Sequence, residues 1–178
     1  MDRVRECRFI AVVGASGSGK SSLVRAGLIP AVRAGKIAGS ESWPLVMFTP
    51  GPQPVQALAA RLLSIVGGNR LLPELVALIN AESDNLNQMI AGAMVDHPED
   101  ARFVIVIDQF EEVFTRASAV ERERFLEALT TAANINGGRA TVVITMRADY
   151  FDRLSEYPLL ARLFEGFRSA HHGGDDRQ

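Results

Sequence analysis

The sequence predicts an α/β fold, a three-layer sandwich in which a mainly parallel sheet lies between helices. Three observations predict it. Apolar runs of strand length alternate with stretches whose apolar residues recur at helical spacing. The run Phe103-Val104-Ile105-Val106-Ile107 is apolar throughout, as a strand buried on both faces requires. The glycine-rich loop Gly14-Ala15-Ser16-Gly17-Ser18-Gly19-Lys20-Ser21 joins an apolar run to a helix start, a place where backbone can approach a ligand closely.

The first strand is Phe9–Val13. Arg3, Arg5 and Arg8 precede it in the manner of a signal peptide, but the apolar run stops at Val13, short of the about 7–15 residues such a segment needs. A helix is expected over 20–34, with Leu23, Val24, Leu28 and Val32 inward and Pro30 kinking or shortening it. Trp43–Thr49 reads as the second strand, stopped by Pro50-Gly51-Pro52. A helix over 54–66 then buries Val55, Leu58, Leu62, Leu63 and Val66. Two more helices, over 71–81 and 84–95, are parted by Glu82-Ser83. After the apolar strand Phe103–Ile107 comes a helix over 121–134 that turns Phe125, Leu126 and Leu129 inward. Ala140–Met146 is the fourth strand. The polar, glycine-rich segment Ser169–Gln178 is expected to fray, leaving one domain over 1–168 and a disordered tail over 169–178.

Composition narrows the partners. With 47% apolar residues and a formal charge of −2, the 178-residue chain reads as one soluble globular domain without a surface for nucleic acid or anionic membrane. Cys7 is the single cysteine, which excludes an internal disulfide and a cysteine zinc site. His97 stands beside Pro98 in a loop and His171 and His172 fall in the tail, so no histidine metal site is suggested. With no targeting or spanning segment in view, the expected compartment is the cytoplasm.

The loop at 14–21 fits the Walker A pattern G-x-x-x-x-G-K-[ST], between a strand and a helix as that pattern needs. Gly14, Ala15, Ser16, Gly17, Ser18, Gly19, Lys20, Ser21 and Ser22 are the candidate phosphate-binding residues. Glycine permits positive φ, and the following helix points its partial positive charge at the same oxygens. Lys20, one of only two lysines, can reach the β- and γ-phosphates, and the Ser21 hydroxyl can ligate Mg²⁺. Asp108 closes the apolar strand as a Walker B carboxylate would, a second candidate to hold Mg²⁺ beside Ser21, usually through water because magnesium dehydrates reluctantly. Glu111 and Glu112 are candidates to position or deprotonate an attacking water, with Gln109 as an alternative; equally, both glutamates suit a helix N-terminus. Arg147 follows the fourth strand and would emerge near a γ-phosphate; the competing reading pairs it with Asp149 or Asp152.

With these residues in place, the chain resembles a STAND-class P-loop NTPase, specifically the bacterial novel STAND NTPase domain of type 1. The resemblance rests on residues 14–30, on Thr49-Pro50-Gly51, on Asp108-Gln109-Phe110-Glu111-Glu112-Val113-Phe114-Thr115, on Thr145-Met146-Arg147-Ala148-Asp149-Tyr150-Phe151 and on Glu156-Tyr157-Pro158-Leu159-Leu160-Ala161. It implies binding of ATP or GTP, ATP being preferred, with Mg²⁺, and nucleotide exchange and hydrolysis that gate oligomerisation and signalling; without the family's lid, hydrolysis is expected to be slow, because phosphoryl transfer is mostly positioning. It also implies a sheet in which the Arg-bearing strand separates the Walker A and Walker B strands, with Arg147 as the first-sensor arginine. Family members carry an upstream base-holding segment, a fifth core strand and effector and sensor regions; here the sheet is expected to stop before that fifth strand.

Other readings fit less well. A transporter ATPase needs a Ser-Gly-Gly-Gln signature that residues 83–102 lack, and an AAA+ motor would place Glu where Gln109 stands. A small-molecule kinase accounts for the loop but not for Asp-Gln-Phe-Glu-Glu. The alternative of a different class is a truncated nucleotide-binding or interaction fragment that does not hydrolyse.

Overall fold

The computed structural model describes residues 7–66, 68–135, 137–158 and 160. The tail expected over 169–178 lies outside the described residues. Four parallel strands form one sheet: β1 (Phe9–Gly14), β2 (Leu45–Phe48), β3 (Phe103–Ile107) and β4 (Ala140–Arg147), in the order β1-β4-β3-β2. Arg-bearing β4 thus stands between β1 and β3, as the resemblance implies.

Position in the sheet explains the composition of each strand. β3 and β4 are central, and Phe103 to Ile107 are wholly buried. β2 is an outer strand among the described residues and alternates, with Val46 and Phe48 buried and Leu45 and Met47 half-buried. β1, the other outer strand, is half-buried beyond Phe9. The second strand is shorter than the predicted Trp43–Thr49: Trp43 is buried ahead of it, and pairing with β3 begins at Leu45↔Val104.

Helix α1 covers residues 20–33 without a break. Its middle, Val24–Leu28, is wound as a π-helix. Pro30 lacks an N–H and its ring crowds the carbonyl of Ala26, so a wider turn ahead of it absorbs the clash; the expected shortening does not occur. Leu23, expected inward, is 61% exposed, because it lies beside outer strand β1 rather than over the sheet's centre. Val24 and Val32 are buried as expected, and Leu28 is partly buried against the core.

Helices α2 (Pro54–Val66) and α6 (Ala119–Asn134) cover the opposite face. Phe48 is in register with Ile107 and meets Phe125 of α6 edge to face at 6.2 Å, whereas Asp108, one residue on, faces α1. Between them, α3 (Leu72–Ala81) and α4 (Asn85–Ala93) bury Leu75, Ile79, Leu86 and Ile90. α6 starts earlier than expected because Ser118 caps it, its Oγ accepting from Glu121 N at 3.3 Å. Three elements are additions to the sequence reading: the 3₁₀ turn Ser40–Ser42, the single turn α5 (Glu112–Thr115) and a 3₁₀ stretch, Ala148–Glu156. Among the described residues no helix is long and apolar enough to cross a membrane.

Candidate functional site

Parallel strands carry their C-terminal ends to one edge of the sheet, where ligands bind in open α/β folds. There the structure opens a cleft of about 600 Å³. Ser16, Gly17, Ser18, Gly19, Lys20, Ser21 and Ser22 line one side; Gln109, Glu111, Glu112, Thr115, Thr145, Arg147 and Tyr150 line the rest. Of the predicted loop residues, Gly14 and Ala15 do not line it. They instead offer carbonyls to Lys20 Nζ, at 2.9 and 2.6 Å, which holds the ammonium within the loop. Gly17 and Gly19 have φ of 73° and 83°, a left-handed conformation that side-chain-bearing residues adopt at a cost. Lys20 opens α1, so the unpaired N–H groups of that helix's first turn face the same cleft.

Asp108, 2% exposed, does not itself line the cleft but is the centre of a polar cluster just behind Ser21 and Thr145, which do. Its Oδ1 accepts from Ser21 Oγ and from Thr145 Oγ1, each at 2.6 Å, and its Oδ2 accepts from the Arg25 guanidinium at 2.9 Å. Burial pushes the carboxyl up, but the bonds from Ser21, Thr145 and Arg25, with the charge of Arg25, outweigh it and hold Asp108 below the usual carboxylate range. The oxygens of Ser21 and Asp108 therefore meet as the sequence predicts. They are hard donors of the kind Mg²⁺ takes, and Mg²⁺ completes its shell with waters and substrate phosphates, so the residues present fit that ion.

The chain turns sharply after Asp108. Gln109 has φ 57°, the one positive value at a non-glycine among the described residues, and its N–H donates to Thr145 Oγ1 at 3.0 Å. The turn leaves Gln109 exposed at the cleft and drives Phe110 into the core against Phe114. Glu111 Oε2 accepts from Arg147 N at 3.3 Å. Glu112 is more committed: its Oε2 accepts from Gly51 N at 3.1 Å, and it pairs with Arg116 at 3.3 Å. Arg147 reaches the cleft, yet its guanidinium grips Asp149 with two bonds, at 3.0 and 2.6 Å, and lies over the Tyr150 ring. Of its two sequence readings, pairing with Asp149 is the arrangement observed.

Sequence reasoning missed Arg25 and Thr145 as members of the cluster. Each left a signal: Arg25 stands four residues after Ser21, on the same helix face, and Thr145 is, like Thr141, a buried polar residue in a mostly apolar strand.

The model of a protein family described as novel STAND NTPase 1 matches residues 1–171. The chain belongs to the novel STAND NTPase 1 family. Its glycine loop and Asp108 lie within the matched region, as do Glu111, Glu112 and Arg147. Among solved structures, this STAND NTPase domain is similar to the ORC2 protein of Aeropyrum pernix, described in ADPNP–ADP complexes, with a TM-score of 0.52 and 15% identity. The likeness covers 88% of this chain and 40% of that one, and at such identity it is a likeness of fold. No curated protein matches the STAND NTPase chain.

Proposed function

We propose that the domain over 1–168 binds a nucleoside triphosphate, ATP in preference to GTP, with Mg²⁺, and hydrolyses it slowly as the switch of a cytoplasmic STAND-type signalling protein. One observation carries the reading: Ser21 of the glycine loop and Asp108 of β3, 87 residues apart, share a 2.6 Å hydrogen bond at the base of the cleft that Lys20 enters.

The loop from Gly14 to Ser22 wraps the phosphates with backbone N–H groups, and Lys20 exchanges the carbonyls of Gly14 and Ala15 for phosphate oxygens. Ser21 and Asp108 would hold Mg²⁺, which when bound would neutralise charge on the phosphates. Glu111, Glu112 or Gln109 orients the attacking water, and Arg147 releases Asp149 to meet the γ-phosphate. Phosphoryl transfer depends on positioning, so a site whose Arg147 and Glu112 hold other partners turns over slowly. Those same pairings favour a second reading, a nucleotide-binding module that does not hydrolyse. Nucleotide-dependent self-association belongs to the first reading.

Fluorescent-ATP binding and phosphate release, measured on the wild type and on Lys20→Ala, test both. Mg²⁺-dependent release that disappears in Lys20→Ala supports the hydrolytic switch; release that survives the substitution refutes it. Stable binding without turnover establishes the second reading.

A further inference from the structure

Asp108 is a buried carboxylate whose two oxygens are differently used. Ser21 and Thr145, both uncharged, share Oδ1. Oδ2 is given to Arg25 at 2.9 Å, and Arg25 forms the one ion pair described for Asp108. Lys20, the cation of the glycine loop, has its ammonium on the carbonyls of Gly14 and Ala15 instead. A buried charge needs a partner, and Arg25 supplies it.

Arg25 is also built to let go. Its side chain is 62% exposed while that of Asp108 is 3% exposed, so the guanidinium can turn to water without opening the core. It sits four residues after Ser21, which puts both on the α1 face turned to Asp108, and it falls inside the π-helical turn Val24–Leu28. Such widened turns are frequent where a helix carries function. A divalent cation held by Asp108 and Ser21, directly or through water, would stand close to a guanidinium of the same sign, and each would weaken the other's hold on the carboxylate.

We propose that Arg25 is the internal counter-ion of Asp108 in the metal-free domain and competes with Mg²⁺ for the charge of that carboxylate. This role rests on the nucleotide-site reading above. Arg25 is then a positioning residue: it keeps the carboxylate ionised and aligned while the site is empty, and it lowers the affinity of the site for the metal. By linkage, whatever metal binding costs through loss of the pair, the pair loses through metal binding.

The experiment uses the full chain with Arg25→Gln, Arg25→Lys, Asp108→Asn and the Arg25→Gln/Asp108→Asn double variant. Thermal unfolding in EDTA without nucleotide reads the pair. Titration of MgCl₂ into protein holding fluorescent ATP reads the competition. Arg25→Gln is expected to lower the metal-free melting temperature by about 3 °C and to tighten apparent Mg²⁺ binding about tenfold. Arg25→Lys should stay near the wild type in both, and on the Asp108→Asn background Arg25→Gln should change the melting temperature little. Unchanged or weaker Mg²⁺ binding in Arg25→Gln, where the wild type binds Mg²⁺–nucleotide normally, overturns the competition alone. Additive losses of stability in the double variant overturn the counter-ion role. A wild type with no Mg²⁺-dependent nucleotide binding overturns the nucleotide reading and the competition with it, whatever the melts show.

Discussion

Replacing Gln109 by glycine should raise stability and lower turnover at once. The backbone at Gln109 has φ 57°, in the left-handed region. That conformation costs a residue with a Cβ about 1–2 kcal/mol, and glycine removes the cost. Glycine also loosens the unfolded chain, which returns about 0.5–1 kcal/mol. Gln109 is exposed, so the substitution gives up no core contact. The net expectation is a gain of about 0.5–1 kcal/mol, or about 2 °C in melting temperature for a domain of this size. The lost carboxamide belongs to the cleft wall, where it is a candidate to orient water. Phosphate release from Mg²⁺–ATP should then fall by about 100-fold. Gln109→Ala is the control: it keeps the cost of the turn and loses the carboxamide, so its turnover should fall equally with no rise in melting temperature. A Gln109→Gly protein that melts several degrees lower refutes the strain argument. One that hydrolyses at the wild-type rate refutes the role of the side chain.

Arg139→Ala should destabilise the domain by about 2–3 kcal/mol, because its guanidinium donates to the carbonyls of Met94 at 2.6 Å, Ala101 at 3.2 Å, His97 at 3.3 Å and Pro98. Those contacts lie before the N-terminal end of β4, at the other end of the strand from the cleft, so nucleotide affinity measured in parallel should hold. Asp108, held below its ordinary value of about 3.8, stabilises the fold fully above that pH and loses the contribution as pH falls through its folded value. Asp108→Asn should therefore be less stable than the wild type at neutral pH, with urea midpoints that converge below about pH 3.8. Asp149, also held low by its bond to Arg147, titrates in both proteins and cancels in the comparison, so parallel curves would remove Asp108 as the cause.

What the sequence made legible is chemistry that is local along the chain. The spacing Gly14, Gly17, Gly19, Lys20, Ser21 states its own backbone requirement, and an apolar run ending in Asp108 states a buried strand with a carboxylate at its tip. What it hid depends on neighbours in space. The spacing of Ser21 and Arg25 is visible, but that both face Asp108 follows only from packing α1 against β3. Leu23 fits the apolar period of its helix and is exposed because β1 is an outer strand. α5 is four residues long, less than two helical turns, so no periodicity could mark it. The choice between phosphate and Asp149 for Arg147 is a competition between partners two residues and a whole site away, which a strand-end position does not decide.

The site depends on register as much as on residue type. Gly14 pairs with Arg147 across β1 and β4, and Ile107 pairs with Ile144 across β3 and β4. Asp108 is thereby level with Thr145, and both side chains leave the sheet on the α1 face, which is why their oxygens lie 2.6 Å apart. A slip of one residue between β3 and β4 would set an apolar neighbour, Ile144 or Met146, against the carboxylate and turn Thr145 to the other face. It would also remove the partner of Gln109 N and the acceptor that fixes Phe110 N at 2.8 Å. Asp108 would then be a buried charge that has lost one of its three hydrogen bonds, a costly state. The polar cluster at the base of the cleft thus selects the pairing of two otherwise interchangeable apolar strands, and the same hydrogen bonds that align the candidate metal ligands also specify the sheet.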